Sequence, residues 1–225
     1  MIDSSSPAGY FPAMFEGIST IIFDLDGTLI DSSTGVIAAT NYALESLGQP
    51  KRSDEEIKRF IGHPLDEMFP AFCDAPLSDL KAKFQEKAKD TVVSSAIILP
   101  EVDVTLPELV SRGYTLGIAT TKFSNHTEGT VKKFGWDRFF SALTSGNEVK
   151  RVKPAPDIIL LAMERLHADP ASTIMVGDTI NDVVAAHDAG IPVITIKSPF
   201  GDDGAALREA DCVLDSFGEL LRVFT

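Results

Sequence analysis

Cysteine is nearly absent from this chain. Its 225 residues hold two, Cys73 and Cys212, far apart and without a CxxC pair. That argues against a disulfide framework and suits two reduced thiols in a cytosolic protein. Positive charge is also scarce. Lysine and arginine number 20 against 33 aspartates and glutamates, a formal net charge of -13. Such a balance opposes non-specific binding to nucleic acid or to an anionic membrane surface. No apolar run approaches the roughly 20 residues needed to span a bilayer. Residues 1–17 lack the basic start and continuous apolar stretch of a signal peptide, so the expected compartment is the cytoplasm. The chain contains no His/Cys cluster of the kind that holds zinc, no internal repeat and no low-complexity tract. Ser4 to Gly9 reads as a flexible terminus, with Phe11, Met14 and Phe15 expected to pack against the body.

What is present centres on Ile18 to Ile30, ISTIIFDLDGTLI. Ile21, Ile22 and Phe23 are consecutive and β-prone, which suits a strand buried on both faces of a parallel sheet. The run stops on Asp24 and Asp26, and Gly27 allows a sharp turn. From Asp31 to Ala96 the reading is almost wholly helical: Ser33 to Leu47, Ser53 to Phe60 with a Ser53/Glu56 capping box, Leu65 to Phe72 and Leu77 to Val93. No strand is persuasive in that stretch. After Ile97, strand and helix alternate. Strands are expected at Tyr114–Ala119, Phe139–Leu143, Ser172–Val176, Pro192–Ile196 and Cys212–Leu214. Helices are expected from Val104 to Arg112 and between and after those strands, the last over Phe217–Val223. Repeated βα units imply a doubly wound, Rossmann-like parallel sheet with helices on both faces. The expected organisation is an α/β core of residues 1–30 and 98–225, with an inserted all-helical cap of residues 31–97.

Four polar clusters fall at or just beyond the carboxyl ends of these strands: Asp24/Asp26, Thr120/Thr121/Lys122, Lys153 and Asp178/Asp182. In a right-handed parallel sheet those ends share one edge, so the clusters converge on one crevice. Three carboxylates with few basic neighbours make a hard, oxygen-rich site suited to Mg²⁺, which takes one or two carboxylates, several waters and phosphate oxygens. Lys153 and the Thr120 hydroxyl can neutralise and bond the other oxygens of a phosphoryl group. An aspartate can attack phosphorus and form an acyl phosphate. A second carboxylate two residues on can protonate the leaving oxygen and later deprotonate water.

Those residues carry a family resemblance. DLDGT at Asp24–Thr28, the strand-terminal Thr120, Lys153 in KPAP and GDTIND at Gly177–Asp182 occur in order across almost the whole chain. In this the sequence resembles the haloacid dehalogenase-like hydrolases. The resemblance implies Asp24 as nucleophile and metal ligand, and Asp26 as general acid/base with its backbone carbonyl on the metal. It implies Thr120 and Lys153 on the phosphoryl group, Asp178 on the metal, Asp182 supporting the metal site from behind its ligands or through water, and Thr28 orienting Asp26. DSSTGVIAATNYALESLG, IGHPLDEMF and VGDTINDVVAAHDAGIPVI resemble the phosphoglycolate phosphatase-like subgroup, which implies a helical cap at the insertion. That subgroup commonly carries Thr-Asn-Lys where this chain has Thr120-Thr121-Lys122.

The expected activity is therefore Mg²⁺-dependent hydrolysis of a small phosphorylated metabolite, phosphoglycolate first, by a monomer or weak homodimer. Gly27, Thr28, Thr121 and His63 are candidate substrate contacts. Sugar phosphomutase, pyrophosphatase and a catalytically silent binding protein are the rival readings. Mutases of this family usually carry a histidine soon after the first motif, and DSSTGVIAAT has none. Several residues keep a plain structural reading. Asp178 can cap a helix, Asp182 can be a first-turn helix acid, and Lys122 can be a surface lysine. His63 can be a solvent-facing loop residue, and His126, His167 and His187 surface or helix residues. Phe134, Trp136, Phe139 and Phe140 read as core.

Overall fold

The structure is a computed structural model that describes residues 15–197, 200 and 204–225. The expectations for Ser4 to Gly9, Phe11 and Met14 lie outside the described residues, while Phe15 is buried in the core. The main sheet runs through β1 (Thr20–Phe23), β4 (Thr115–Thr120), β5 (Phe140–Ser145), β6 (Thr173–Gly177), β7 (Val193–Ile196) and β8 (Cys212–Leu214). All pairings are parallel, in the spatial order β5-β4-β1-β6-β7-β8. The chain thus builds outward from β1 to β4 and β5, then returns and builds the other way from β6. The place where the direction reverses is the gap between β1 and β6, and ligands of open α/β sheets bind beyond the carboxyl ends of the strands there.

The consecutive apolar residues of β1 serve two layers. Ile21 and Phe23 enter one core with α5 (Val102–Ser111), α6 (Ser124–Phe134) and α10 (Leu220–Val223). Ile22 enters the other with α7 (Asp157–Leu166), α8 (Ile180–Asp188) and α9 (Gly204–Glu209). A strand covered on both faces needs this run rather than an alternation with polar residues. Trp136 and Phe140 are buried as expected, with Phe134 and Phe139 packed against the same core.

Between β1 and β4 lie α1 (Ser33–Ser46), α2 (Asp54–Lys58), α3 (Leu65–Phe72) and α4 (Leu77–Ser95). These helices have an apolar cluster of their own, including Leu44, Met68, Phe69, Phe84 and Val92. The Ser53/Glu56 capping box is present. Gly35 lets α1 and α4 approach closely, because a Cβ there would lie 2.6 Å from the Thr91 carbonyl oxygen. The last turn of α4 has no basic residue of its own. Lys133 of α6 supplies one, its Nζ donating to the carbonyls of Val93 (3.0 Å), Ser94 (2.9 Å) and Ala96 (2.6 Å). A cation there satisfies orphan carbonyls and complements the helix dipole.

The helical segment joins the sheet through two short strands that the sequence reading missed. β2 (Ile30–Asp31) pairs antiparallel with β3 (Ile97–Ile98), placing Ile30 opposite Ile98 and Asp31 opposite Ile97. A strand of two residues is too short to carry a period. Other differences are displacements of ends. α5 begins at Val102 and contains Pro107, and the last expected helix is a 3₁₀ turn, Phe217–Glu219, followed by α10.

Candidate active site

Four of the expected residues meet at the carboxyl edge beside β1. Asp24 follows directly on β1, its N–H donating to the Val176 carbonyl (2.9 Å) across the reversal point. Lys153 arrives from the loop before α7 and is only 1% exposed. Its ammonium uses all three hydrogens, on Asp24 Oδ1 (2.5 Å), Asp182 Oδ1 (2.6 Å) and the Ala119 carbonyl (2.9 Å). Burial opposes its charge, but Asp182 and Asp24 outweigh that and hold it above the usual lysine range. Burial pushes the Asp24 carboxyl up to about 7, helped by Asp182 and Asp26 and resisted by Lys153. Asp182 goes the other way. Burial would raise it, but Lys153 and hydrogen bonds from Thr179 hold it below the ordinary carboxyl range.

Asp182 combines the two readings open at sequence level. Its Oδ2 accepts from the N–H (3.0 Å) and hydroxyl (2.7 Å) of Thr179, closing a capping box on α8. Its Oδ1 faces Lys153. Asp178 is not the cap of α8; Thr179 is. A carboxylate three residues into a helix can reach back to the cap, and here Asp182 does so, which leaves Asp178 turned toward Asp24.

The turn after β1 brings Gly27 against Asp178. Gly27 has φ +88°, and a Cβ on it would lie 2.2 Å from Asp178 Oδ2. Only glycine combines that backbone with so close an approach. Thr28 corrects an expectation. Its hydroxyl donates to Asp178 Oδ1 (3.0 Å) and does not touch Asp26. The hydroxyl that orients Asp26 belongs to Ser32, on Oδ1 (2.5 Å). The other oxygen, Oδ2, pairs with Lys122 Nζ at 2.9 Å. Lys122 is therefore no surface lysine, since its side chain is 6% exposed. Ser32 escaped sequence reading because nothing in a single sequence separates it from Ser33 as a helix cap. The signal for Lys122 was available in its position two residues beyond Thr120, at a strand end.

Thr120 is buried, its hydroxyl accepting from the Lys122 N–H (3.3 Å). The Thr121 hydroxyl donates to the Gly62 carbonyl (3.2 Å), so it binds the loop of the helical segment. His63, in that loop, lies 2.9 Å from Glu67 Oε2 and 3.1 Å from Asn181 Nδ2 on α8. His167 and His187 are exposed as expected, but His126 is buried. Its ring nitrogen lies 3.3 Å from Gln85 Oε1. Desolvation and the Lys122 charge lower its pKa to about 4.

Two features bear on chemistry. Oxygens of Asp24, Asp178 and Asp182 all lie within 4.8 Å of one another, and all three residues are buried. The donors are all hard oxygens, three carboxylates against one lysine, which fits Mg²⁺ and fits zinc poorly. Beside them, between the sheet edge and the helical segment, is a cavity of about 260 Å³ lined by Asp26, Thr121, Lys122 and His126 on one side and by Phe60 to Asp66 and Met68 on the other.

Comparison with known proteins identifies the family. The haloacid dehalogenase-like hydrolase family matches residues 21–196. A Bacillus velezensis protein named pyrophosphatase PpaX is 36% identical over 216 residues, covering 92% of this chain and 96% of that protein. A phosphoglycolate phosphatase of Photorhabdus laumondii is 31% identical over 217 residues, covering 92% and 93%. Among solved structures, a haloacid dehalogenase-like family hydrolase from Streptococcus pneumoniae superposes with a TM-score of 0.85 at 29% identity, covering 93% of this chain and 99% of that one.

Proposed function

The chain belongs to the haloacid dehalogenase-like hydrolase family, and from that premise we propose that this phosphatase is Mg²⁺-dependent and hydrolyses a small phosphomonoester through an aspartyl-phosphate. The observation that carries the reading is the division of labour between Asp24 and Asp26. Asp24 lies among Lys153, Asp178 and Asp182, while Asp26, two residues on, lines the cavity and is held by Lys122 and Ser32.

In this reading Asp24, Asp178 and the backbone carbonyl of Asp26 would hold the ion, and Asp182 would support it from behind through Lys153. Bound there, Mg²⁺ would supply charge neutralisation for the phosphoryl oxygens. Lys153 holds Asp24 by Oδ1, so Oδ2 attacks phosphorus. The bond from phosphorus to the leaving oxygen breaks, and Asp26, entering this step in its protonated form, gives that oxygen its proton. A water then loses a proton to Asp26 and attacks the aspartyl-phosphate, releasing inorganic phosphate and restoring both carboxyls. Thr120 offers its hydroxyl to a phosphoryl oxygen, and Lys153, its three hydrogens already placed, acts on the phosphoryl group through its charge.

The helical segment of residues 31–97 acts as a cap on the core formed by 1–30 and 98–225. Its loop at Gly62 and His63 already reaches Thr121 and Asn181, and closure over the cavity would keep water from the first step. Phosphoglycolate is the first substrate to test. Pyrophosphate is the second, favoured by the PpaX relative. Hydrolysis of both should stop in EDTA and return with Mg²⁺. Asp24→Asn should lower turnover by several orders of magnitude while keeping the thermal transition, and an active Asp24→Asn enzyme would refute the nucleophile.

A further inference from the structure

We propose that Lys122 selects substrates whose leaving group carries its own negative charge, by exchanging its ion pair with Asp26 for one with that group. The inference rests on the phosphatase reading above and deepens it. Asp26 lies on the cavity wall, so a leaving oxygen that takes its proton must belong to a group standing in the cavity. That wall runs against the charge of the whole protein. In a chain of net charge -13, it carries Lys81, Lys122 and Lys150 against Asp26 and Asp66. Lys81 is neutralised by Asp66 at 2.5 Å, and Lys150 stands exposed at the rim.

Lys122 differs from both. It is nearly buried, it makes one ion pair, and its partner is the carboxyl that handles the proton. An ammonium so placed must always have a counter-charge, because a buried charge left alone is strongly unfavourable. The one anion it now has is needed for chemistry. A carboxylate or phosphate on the leaving group would meet Lys122 from the cavity side and take over that duty, while Asp26, neutral in its role as the acid, keeps the Ser32 hydroxyl. A neutral leaving group offers no such replacement. The neutral imidazole of His126 lines the same cavity and adds no competing charge. Charge-assisted hydrogen bonds of this kind are worth enough to discriminate by roughly 10- to 100-fold.

The test compares 2-phosphoglycolate with 2-hydroxyethyl phosphate, which has the same chain length and replaces the carboxylate by an alcohol, and adds pyrophosphate. We expect the wild-type enzyme to prefer the two anionic substrates in kcat/KM. Lys122→Met should lower kcat/KM for them about 10- to 100-fold, and at least ten times more than for 2-hydroxyethyl phosphate. Lys122→Arg should recover much of the preference. An equal loss on all three substrates would show that Lys122 only positions Asp26 and would overturn the proposal, as would a wild type indifferent to leaving-group charge. A wild type that hydrolyses none of the three with Mg²⁺ would overturn the phosphatase reading itself, a separate outcome.

Discussion

Replacing Lys153 by methionine keeps most of the side-chain volume and removes the ammonium. In the native protein that ammonium stands 2.5 Å from Asp24 and 2.6 Å from Asp182, both buried. Removing one partner of a buried pair typically destabilises by about 3–5 kcal/mol, because the remaining charge has no compensation. Here two carboxylates are left, and the Ala119 carbonyl loses its donor. The loss should lie near the upper end at pH 8, a large share of the ~5–15 kcal/mol that holds a typical domain.

The pH dependence gives the sharper test. Asp24 is already raised to about 7 from 3.8. Without Lys153, Asp24 would rise further and Asp182 would lose the charge that now holds it down. A carboxyl with a folded pKa above its unfolded value binds more protons folded than unfolded, so its folded state is penalised as pH rises and relieved as pH falls. The gap between wild type and Lys153→Met should therefore shrink from pH 8 to pH 5. Urea midpoints across that range, with and without Mg²⁺, measure it, and added Mg²⁺ should narrow the gap at pH 8. A loss below about 1 kcal/mol at pH 8, or a gap that widens on acidification, would refute the argument that Lys153 neutralises a buried acid cluster.

Gly27→Ala puts a Cβ 2.2 Å from Asp178 Oδ2 on a backbone with φ +88°. It should cost about 1–3 kcal/mol and raise the Mg²⁺ concentration needed for activity, and wild-type values of both would dismiss the steric account. For His126, a folded pKa of about 4 against 6.5 unfolded means the unfolded state binds more protons between those values. Stability should then fall as pH drops from 6.5 toward 4, by at most about 3 kcal/mol before screening through the cavity reduces it. His126→Gln should flatten that part of the profile, and an unchanged slope would count against a buried neutral imidazole. Lys133→Met removes three hydrogen bonds to the end of α4. It should lower stability by roughly 1–2 kcal/mol and speed proteolysis around residues 94–98, whereas unchanged cleavage there would show that Lys133 does not secure that segment.

Much of this protein is legible in order along the chain. The run at Ile21–Phe23, the repeated βα spacing and the strand-free succession of helices from Ser33 to Ser95 are local patterns, written wherever one face or two must be buried. Parallel connectivity then places strand ends on one edge, so the convergence of Asp24, Lys153, Asp178 and Asp182 follows from topology alone. Tertiary structure decided which oxygen meets which donor. Thr28 could have served Asp26 or Asp178, and in the fold it bonds Asp178, 150 residues away in the chain. Ser32 and Lys122 hold Asp26 from positions 6 and 96 residues further on, and no period or motif spacing encodes such a meeting. His126 is buried where α6 meets α4, its ring beside Gln85, a fact of packing between segments far apart in the chain. Burial and hydrogen-bond partnership are properties of the assembled surface, whereas hydrophobic periodicity and turn chemistry belong to the chain itself. The sequence by itself therefore determined the architecture and the acids of the site, while the assignment of each donor to each carboxylate had to wait for the fold.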